Sequence, residues 1–498
     1  MGMFFGNRRG SDKLKSPIAI LIIVIGIVVI GNIIATKGLV VALALLAAPI
    51  FVLYLNRFFL NPRIGIYSAI FAAFLAIGLT RYVPGVPLGL SMDGFLVLTY
   101  IAIFFKYFYE NKDFSVVRND LTLLALIWFL FSVAQFINPE ALSSTAWFYA
   151  MRGMSLYQLL LIPLVFLIFN KVKYLYTFLY LWGAFSILAT LKGAMQLYMG
   201  PDFAEQQWLD QGGAVTHILF GELRVFSFFS DAGQFGAAQA MAGVVGTILA
   251  VASKSYRDKA FFWLMALTGY YGMMISGTRG AMIVPFFGLV VYMIHSKNIR
   301  ALLFGAIGLM FVYGFFKYTY IGQGIGMIRR MRTAFHPADD ASLLVRIENR
   351  RILKTYLANK PFGGGIGSAG DWGARFSPNG FLANVATDSW YVQIWAEQGI
   401  IGLMAHLFIV FFIVIKSSYY VMFRLKDPTL RLIMSALISG IVGIMGASYG
   451  NGVFGQSPTG IVIYISMAFL WLGPWLDDEM IAIKKSGKRI FEKGEPLF

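Results

Sequence analysis

Apolar runs of about 20 residues recur along this chain from one end to the other. A run of that length is what an α-helix needs to cross a bilayer, where every backbone N–H and C=O must be bonded within the segment. Only 13% of the 498 residues are charged, whereas about 25% is typical of soluble domains. The sequence therefore predicts an all-α polytopic membrane protein with about 14 transmembrane helices. The predicted spans lie near residues 17–35, 38–57, 64–80, 94–109, 121–137, 155–170, 174–198, 234–252, 261–276, 281–296, 301–317, 399–417, 431–448 and 459–476.

The distribution of positive charge predicts which side of the membrane each connection faces. Basic residues precede the first apolar run and recur in every second connection and in the C-terminal tail, so both termini are predicted to be cytoplasmic. The segments predicted to face outside are 81–93, 138–154, 199–233, the turn 276–280, the long loop 318–398 and the turn 449–458. We expect four regions: N-terminal helices (1–137), core helices with outside loops (138–317), a large outside loop containing helices (318–398), and C-terminal helices with a cytoplasmic tail (399–498).

Several arginines break this charge rule, because they fall in segments predicted to face outside. Arg279 is the clearest exception, since it lies in a turn of a few residues between two apolar runs. An ionisable group at such a depth is costly unless it is paired or functional, so Arg279 is a candidate site residue. Snorkelling to a lipid phosphate, or pairing with an acid from another segment, is the structural alternative. The other arginines in outside segments include Arg152, Arg224, Arg346 and Arg350.

The long outside loop contains a predicted basic helix from Ser342 to Asn359. Arg346, Arg350 and Lys354 recur at a spacing of four and share one helix face, which would suit an anionic headgroup or simply face solvent. The glycine-rich stretch 363–367 lacks the Lys-Ser/Thr pair of a phosphate-binding loop, so we interpret it as a helix terminator and tight turn.

The remaining residue types limit which kinds of functional site the chain could form. There is no cysteine, and the four histidines are scattered, which argues against a zinc site. His217 and His336 are predicted to lie outside, and both stay candidates for the site. Trp390 and Tyr391, next to Asp388, would either stack on sugar rings or belong to an interfacial aromatic belt.

Four motifs together resemble the O-antigen ligase and O-antigen polymerase superfamily, over roughly residues 140–450. Each motif is weak alone, but their order, spacing and shared predicted side make the resemblance fairly specific. They are Arg224 followed by 228–233, the turn 276–281, the stretch 361–365, and Asp388-Ser389 leading to 397–402.

The resemblance implies an inverting glycosyltransferase in the bacterial inner membrane, with a fold like that of the glycosyltransferase-C class and an active site facing the periplasm. It implies a donor glycan on undecaprenyl diphosphate, an acceptor that is a glycan or lipid A-core, and no metal or other cofactor. A chain-length regulator and a flippase are the expected protein partners, and no nucleic acid is expected. By matching motif, Arg224 and Arg279, and less directly Arg346 or Arg350, would bind the diphosphate.

Asp388 departs from the pattern of the ligases that the chain resembles, which carry histidine at this position. A carboxylate is a weaker base than an imidazole, and neighbouring arginines weaken it further. Asp388 would therefore act as base only if burial raised its pKa; otherwise it would orient the acceptor hydroxyl. The departure favours a polymerase over a ligase. The alternative functions are a polysaccharide-lipid flippase or anion transporter, in which the arginines line a pathway, and a purely structural membrane subunit.

Overall fold

The structure, a computed structural model, describes residues 39–83, 85–108, 113–219, 221–297, 299–335 and 341–487, together with positions 17, 21, 24, 25 and 490. The described residues are mostly helical, with one short antiparallel hairpin, β1 (Ile218–Leu219) and β2 (Glu222–Leu223). This architecture confirms the prediction of an all-α membrane protein. In the N-terminal half the helices are α1 (Leu39–Leu60), α2 (Arg63–Leu79), α3 (Ser91–Tyr107), α4 (Asp120–Ala134), α5 (Ser144–Met151), α6 (Tyr157–Ile168), α7 (Val172–Tyr198), α8 (Phe203–Trp208), α9 (Ala214–His217) and α10 (Ala232–Ala252). The others are α11 (Tyr256–Ile275), α12 (Ile283–Ser296), α13 (Ile299–Tyr318), α14 (Gly326–Arg332), α15 (Ala341–Tyr356), α16 (Gly370–Phe376), α17 (Trp390–Tyr419), α18 (Pro428–Ala447), α19 (Thr459–Trp471) and α20 (Gly473–Ser486).

Among the described residues, eight helical segments are long and apolar enough to cross a membrane, and the count rises to nine if the bent pair α19 and α20 forms one span. The predicted number of fourteen is therefore not confirmed. The helices α2 and the apolar part of α13 are shorter than a full span, and the predicted span 17–35 lies almost entirely outside the described residues. The segments that qualify are Leu88–Tyr107, Asp120–Ile137, Ser144–Ile168, Val172–Tyr198, Ala232–Ala252, Arg279–Ser296, Trp390–Arg424 and Pro428–Ala447.

The centre of the bundle is built from α10, α11, α12 and α18, which pack on one another. Small residues allow this close packing. A Cβ on Gly246 or Gly269 would press against the backbone of the facing helix, so the two helices α10 and α11 approach backbone to backbone. Helix α10 is buried along most of its length, including the polar side chains of Gln234 and Gln239. This rigid centre carries the loops that follow α11 and precede α10.

The helix through α5 and α6 begins earlier than the sequence predicts. It starts at Ser144 rather than near residue 155, and Ser143 caps it by accepting a hydrogen bond from the backbone N–H of Ala146 at 3.2 Å. Arg152 thus lies inside a continuous helix instead of a loop, and it is buried. The helix tolerates this charge because Arg152 Nε donates to Asp93 at 2.9 Å and forms an ion pair with it.

The basic helix of the long loop forms as α15, and it ends at Tyr356, three residues before the predicted end. The glycine turn follows it, as predicted, with positive φ at Gly363, Gly365 and Gly367. The turn also bonds to another helix. The N–H groups of Gly364 and Gly365 donate to the carbonyls of Ala396 and Glu397 at 2.9 and 2.8 Å, so the turn is fastened to the first part of α17.

Helix α17 is broken where the glycine turn meets it. Gly399 has φ 68° and ψ −170°, a combination essentially restricted to glycine. A Cβ there would collide with the carbonyl of Pro361. The break separates residues 390–398, to which the glycine turn is bonded, from the long apolar helix that follows.

Candidate functional site: an arginine cluster between four loops

Arg224 and Arg279 are brought together by the loops on either side of the helix pair α10 and α11. Arg224 follows the β-hairpin, and Arg279 begins a short 3₁₀ turn after α11. Thr278 joins them: its hydroxyl accepts a hydrogen bond from Arg224 Nη2 at 3.2 Å and donates to the carbonyl of Ala232 at 2.8 Å. The side chain next to Arg279 in sequence therefore fixes Arg224 against the start of α10.

Two further arginines from the long loop complete this group, and we call Arg224, Arg279, Arg330 and Arg346 the arginine cluster. The pKa of Arg224 is lowered by burial and then by the positive charges of Arg330, Arg279 and Arg346, while the carboxylate of Asp231 opposes the shift. Contacts support this grouping: Arg330 lies against Gly277, in the turn that bears Arg279, and Arg346 lies beside Gly450, in the turn whose Asn451 meets Gly280. The sequence singled out Arg224, Arg279 and Arg346, and the structure adds Arg330.

The cluster has hydrogen-bond donors that the described protein does not use. Arg224 Nη1 donates to the carbonyl of Thr216 at 3.1 Å, but its Nε is buried without a partner among the described residues. Arg330 makes no side-chain hydrogen bond within the described part of the chain, although it is half-buried against Gly277. Its pKa is lowered by burial and by Arg279, against the opposing charge of Glu222. Guanidinium groups held together in this way are suited to bind an anion, which would accept hydrogen bonds from the unused N–H groups.

Another arginine, Arg81, holds the loop that carries Arg224 in place. Arg81 donates hydrogen bonds to the carbonyls of Ser227, at 2.9 Å, and Phe229. Its guanidinium also lies over the rings of Trp208 and Phe226, at 4.7 and 4.5 Å from their centroids. Arg81 therefore has a structural role, because these contacts hold the segment that leads to Asp231.

Asp388 lies beside Arg346, whose Nε donates to the Asp388 carboxylate at 3.3 Å. The next residue along the same face of α15, Arg350, donates to the Tyr449 hydroxyl at 2.6 Å and stacks on that ring. Lys354 is exposed. The basic face of α15 therefore meets two other parts of the site.

The turn after α18 links Asp388 to the arginine cluster. Ser389 Oγ and the N–H of Trp390 both donate to the carbonyl of Ser448, at 3.1 and 3.0 Å. The side chain of Asn451 fits against Gly280, where a Cβ would collide with it. Asn451 is a residue that the motifs did not reveal, because its role depends on a contact between segments far apart in sequence.

Trp390 and Tyr391 point into the protein. Trp390 is 4% exposed and its Nε1 donates to His406 Nε2 at 3.1 Å, while the Tyr391 hydroxyl donates to the carbonyl of Met445 at 2.8 Å. In this arrangement Trp390 offers no open ring face. The contribution of both residues to sugar binding stays a prediction.

Two of the remaining candidate residues, Arg152 and His217, have their own hydrogen-bond partners within the protein. Arg152 is held by Asp93, by the carbonyl of Gly89 at 2.9 Å and by the Tyr157 hydroxyl at 2.8 Å. His217 is buried; its Nδ1 lies 3.0 Å from the carbonyl of Gly213, and burial lowers its pKa. His336 lies outside the described residues. The described residues contain no group of three or more His, Asp or Glu side chains that could hold a metal ion.

Comparison with known proteins gives a family match over part of this region. Residues 260–407 match the family model described as O-antigen ligase. No curated protein matches the chain. The matched range contains Arg279, Arg330, Arg346 and Asp388, and ends within α17. This match supports the resemblance to the O-antigen ligase and O-antigen polymerase superfamily that the four motifs indicate.

Proposed function

We propose that the protein is a bacterial inner-membrane glycosyltransferase that takes a glycan from undecaprenyl diphosphate and joins it, with inversion, to a sugar hydroxyl of an acceptor. The observation that carries the proposal is the arginine cluster with its unused donors at Arg224 and Arg330. A diphosphate is the multivalent anion that such a group of guanidiniums suits.

The chemistry follows from where charge develops. Breaking the bond between the sugar and the diphosphate leaves negative charge on the leaving oxygen. Fixed guanidinium groups in a partly desolvated site stabilise that charge, and they can do so without a metal ion. Attack by the acceptor oxygen from the opposite face inverts the anomeric carbon, and it requires one base rather than a base and a nucleophile.

Asp388 favours a polymerase over a ligase, because it replaces the histidine of the ligases that the chain resembles. Its carboxylate accepts a hydrogen bond from Arg346 Nε at 3.3 Å and is thereby held in place. We therefore assign Asp388 an orienting role, and we expect Asp388→Asn to keep a substantial part of the turnover. Near-complete loss of turnover in this variant, with donor binding unchanged, would instead make Asp388 the base.

The decisive test uses the purified protein in detergent micelles with undecaprenyl-diphosphate-linked repeat units from the producing strain. We expect these units to be joined into longer chains without any membrane gradient. Failure of all transfer in micelles, together with movement of the lipid-linked glycan across proteoliposomes, would instead favour the flippase or anion transporter. In a deletion strain, single repeats without long chains indicate a polymerase, and long chains retained on the carrier indicate a ligase.

Arg330 gives a second test of the site. We expect Arg330→Gln to raise the donor KM or lower turnover by roughly tenfold to hundredfold, because a hydrogen bond to a charged group contributes about 1.5–3 kcal/mol. The matched control is Arg351→Ala, which removes an exposed arginine of α15 that pairs, among the residues the structure describes, only with Glu348 on its own helix. Wild-type kinetics in Arg330→Gln would exclude Arg330 from the donor site.

A further inference from the structure

Helix α7 ends beside the segment that follows Arg224, and one buried side chain of this helix, Gln196, binds that segment. Gln196 Oε1 accepts hydrogen bonds from the N–H groups of Phe226 and Ser227, at 3.3 and 2.7 Å. Its Nε2 donates to the carbonyl of Ser227 at 3.2 Å and to the Glu205 carboxylate at 2.8 Å. The amide is 1% exposed, donates twice and accepts twice, so it is fully bonded. A buried polar group with all its positions bonded holds its partners in one arrangement.

Ser227 has a backbone conformation that residues other than glycine rarely adopt. Its φ is 53°, in the left-handed region. In addition to the two bonds with Gln196, its carbonyl accepts a hydrogen bond from Arg81 Nη1 at 2.9 Å, and its hydroxyl donates to the carbonyl of Ala189 at 2.7 Å. A conformation of this kind persists only where the surrounding structure imposes it, and it is most frequent at functional sites. Here α7 and Arg81 impose it.

Helix α7 also fits closely against Val225, the residue next to Arg224. A Cβ on Gly193 would lie 2.9 Å from Cγ1 of Val225, so the absence of a side chain at Gly193 makes room for this valine, which is fully buried. Gly193 and Gln196 are three residues apart and lie on the same face of α7. This face therefore contacts residues 225–227, the three that follow Arg224.

The place of Arg224 depends on this segment. Its backbone N–H donates to the carbonyl of His217, and its guanidinium donates to the carbonyl of Thr216 and the hydroxyl of Thr278. These bonds hold Arg224 toward the hairpin and the turn after α11, while residues 225–227 hold the chain on its other side. A guanidinium binds two phosphate oxygens at once only when its plane is correctly oriented. A small shift of the backbone next to Arg224 would therefore weaken anion binding.

We propose that Gln196 is a positioning residue for the anion site: together with the hydroxyl of Ser227, it fixes the left-handed turn of the segment and thereby sets the place of the Arg224 guanidinium. This inference rests on the proposed function, in which the anion is the diphosphate of the lipid-linked donor. Gln196 acts through the backbone of residues 225–227 and touches no substrate itself. Removing its amide should lower donor affinity, and this loss should depend on the presence of Arg224.

The test is a double-mutant cycle on binding by the purified protein in detergent micelles. Undecaprenyl diphosphate is the probe, and its Kd is measured for the wild type, Gln196→Met, Arg224→Gln and the double variant. Methionine keeps the length of the side chain without the amide, and we expect Gln196→Met to raise the Kd about tenfold. In the Arg224→Gln background the same change should have little further effect, because the group that Gln196 positions is absent. Equal effects in the two backgrounds would overturn the proposal.

Thr190→Val is the matched control for a general loss of stability. Thr190 lies on the same helix, is 2% exposed, and its hydroxyl donates to the carbonyl of Thr268 in α11 at 2.9 Å. This variant also removes a buried hydrogen bond of α7, but one that leads to α11 rather than to the segment after Arg224. We expect it to lower the temperature of unfolding and to leave the Kd for undecaprenyl diphosphate unchanged. A Kd raised as much as in Gln196→Met would show that the effect of Gln196 is general destabilisation.

Ser227→Ala provides a milder variant in case Gln196→Met does not fold. It removes only the hydroxyl that bonds to Ala189 and leaves the backbone groups that bond to Gln196. We expect its Kd for undecaprenyl diphosphate to rise about threefold, and again only when Arg224 is present. An unchanged Kd in Ser227→Ala, or a rise that persists in the Arg224→Gln background, would count against the proposal.

Failure of this inference can be distinguished from failure of the proposed function. A wild type that binds undecaprenyl diphosphate but does not extend the lipid-linked glycan would contradict the proposed function, while the cycle on binding still decides the role of Gln196. A wild type that does not bind undecaprenyl diphosphate would contradict both. If the wild type binds and transfers, and Gln196→Met does so equally well, only the positioning role is wrong.

Discussion

Arg279→Ala should reduce glycan transfer by about 10²–10³-fold in turnover, because in the proposed mechanism it removes a fixed positive charge that stabilises the leaving diphosphate. Arg279 extends from the short turn after α11 toward the long loop, where its Nη1 donates to the Thr333 hydroxyl at 3.2 Å. It also acts electrostatically on both Arg224 and Arg330. Arg279→Lys should recover only part of the activity, since lysine keeps the charge but loses the planar fork that matches phosphate oxygens.

The measurement is the rate of chain elongation by purified variants at equal protein concentration. Arg351→Ala serves as the matched control, because it also removes one arginine charge, but from a part of α15 outside the arginine cluster. A fully active Arg279→Ala protein, expressed and folded like the wild type, would refute the role of Arg279.

Gly399→Ala should prevent normal folding of the loop region or strongly destabilise the protein. The backbone angles at Gly399 lie in a region that costs other residues about 1–3 kcal/mol. In addition, the new methyl group would overlap the carbonyl of Pro361, so the glycine turn could no longer bind the first part of α17. Because that part leads back to Asp388, we expect any protein that still folds to have lost most of its activity.

Thermal unfolding in detergent and gel filtration of the variant test this expectation. Gly314→Ala is a suitable control, since Gly314 lies within helix α13 and alanine favours helices. Apart from the backbone of the same helix, no atom of the described residues lies within 4 Å of the added methyl group. A Gly399→Ala protein with wild-type stability and turnover would show that the break in α17 is dispensable.

The limits of sequence-based prediction are clear at the basic stretch 329–332. Three arginines occur there within four residues, and the pattern does not show which of them faces the site. The contacts of each side chain distinguish the three arginines. Arg329 donates to Glu222 at 3.4 Å, and Arg332 donates to Gln323 and to the carbonyl of Ile321. Arg330 lies beside Gly277, in the turn that bears Arg279. Arg279 was a candidate from sequence because its isolated position between apolar runs was unusual, and its role at the site stays a prediction.

The ends of helices were predicted less well than the helices themselves, for a physical reason. The polar residues before position 155 suggested a loop, yet α5 extends the helix to Ser144 because Asp93, from a different helix, neutralises Arg152. Aromatic residues pose the same problem. Trp390 and Trp372 look alike in sequence, but a hydrogen bond to His406 turns Trp390 inward, while Trp372 stacks on Tyr149.

The contact between the turn after α18 and the start of α17 has a consequence for biosynthesis. Trp390 and Ser389 are held by Ser448, and Asn451 fits against the turn that bears Arg279. The ribosome must therefore complete nearly the whole chain, and α18 must enter the bilayer, before these loops can close on one another. A nascent or truncated protein would lack these contacts between the turns, so under the proposed function we expect it to transfer no glycan until the chain is nearly complete.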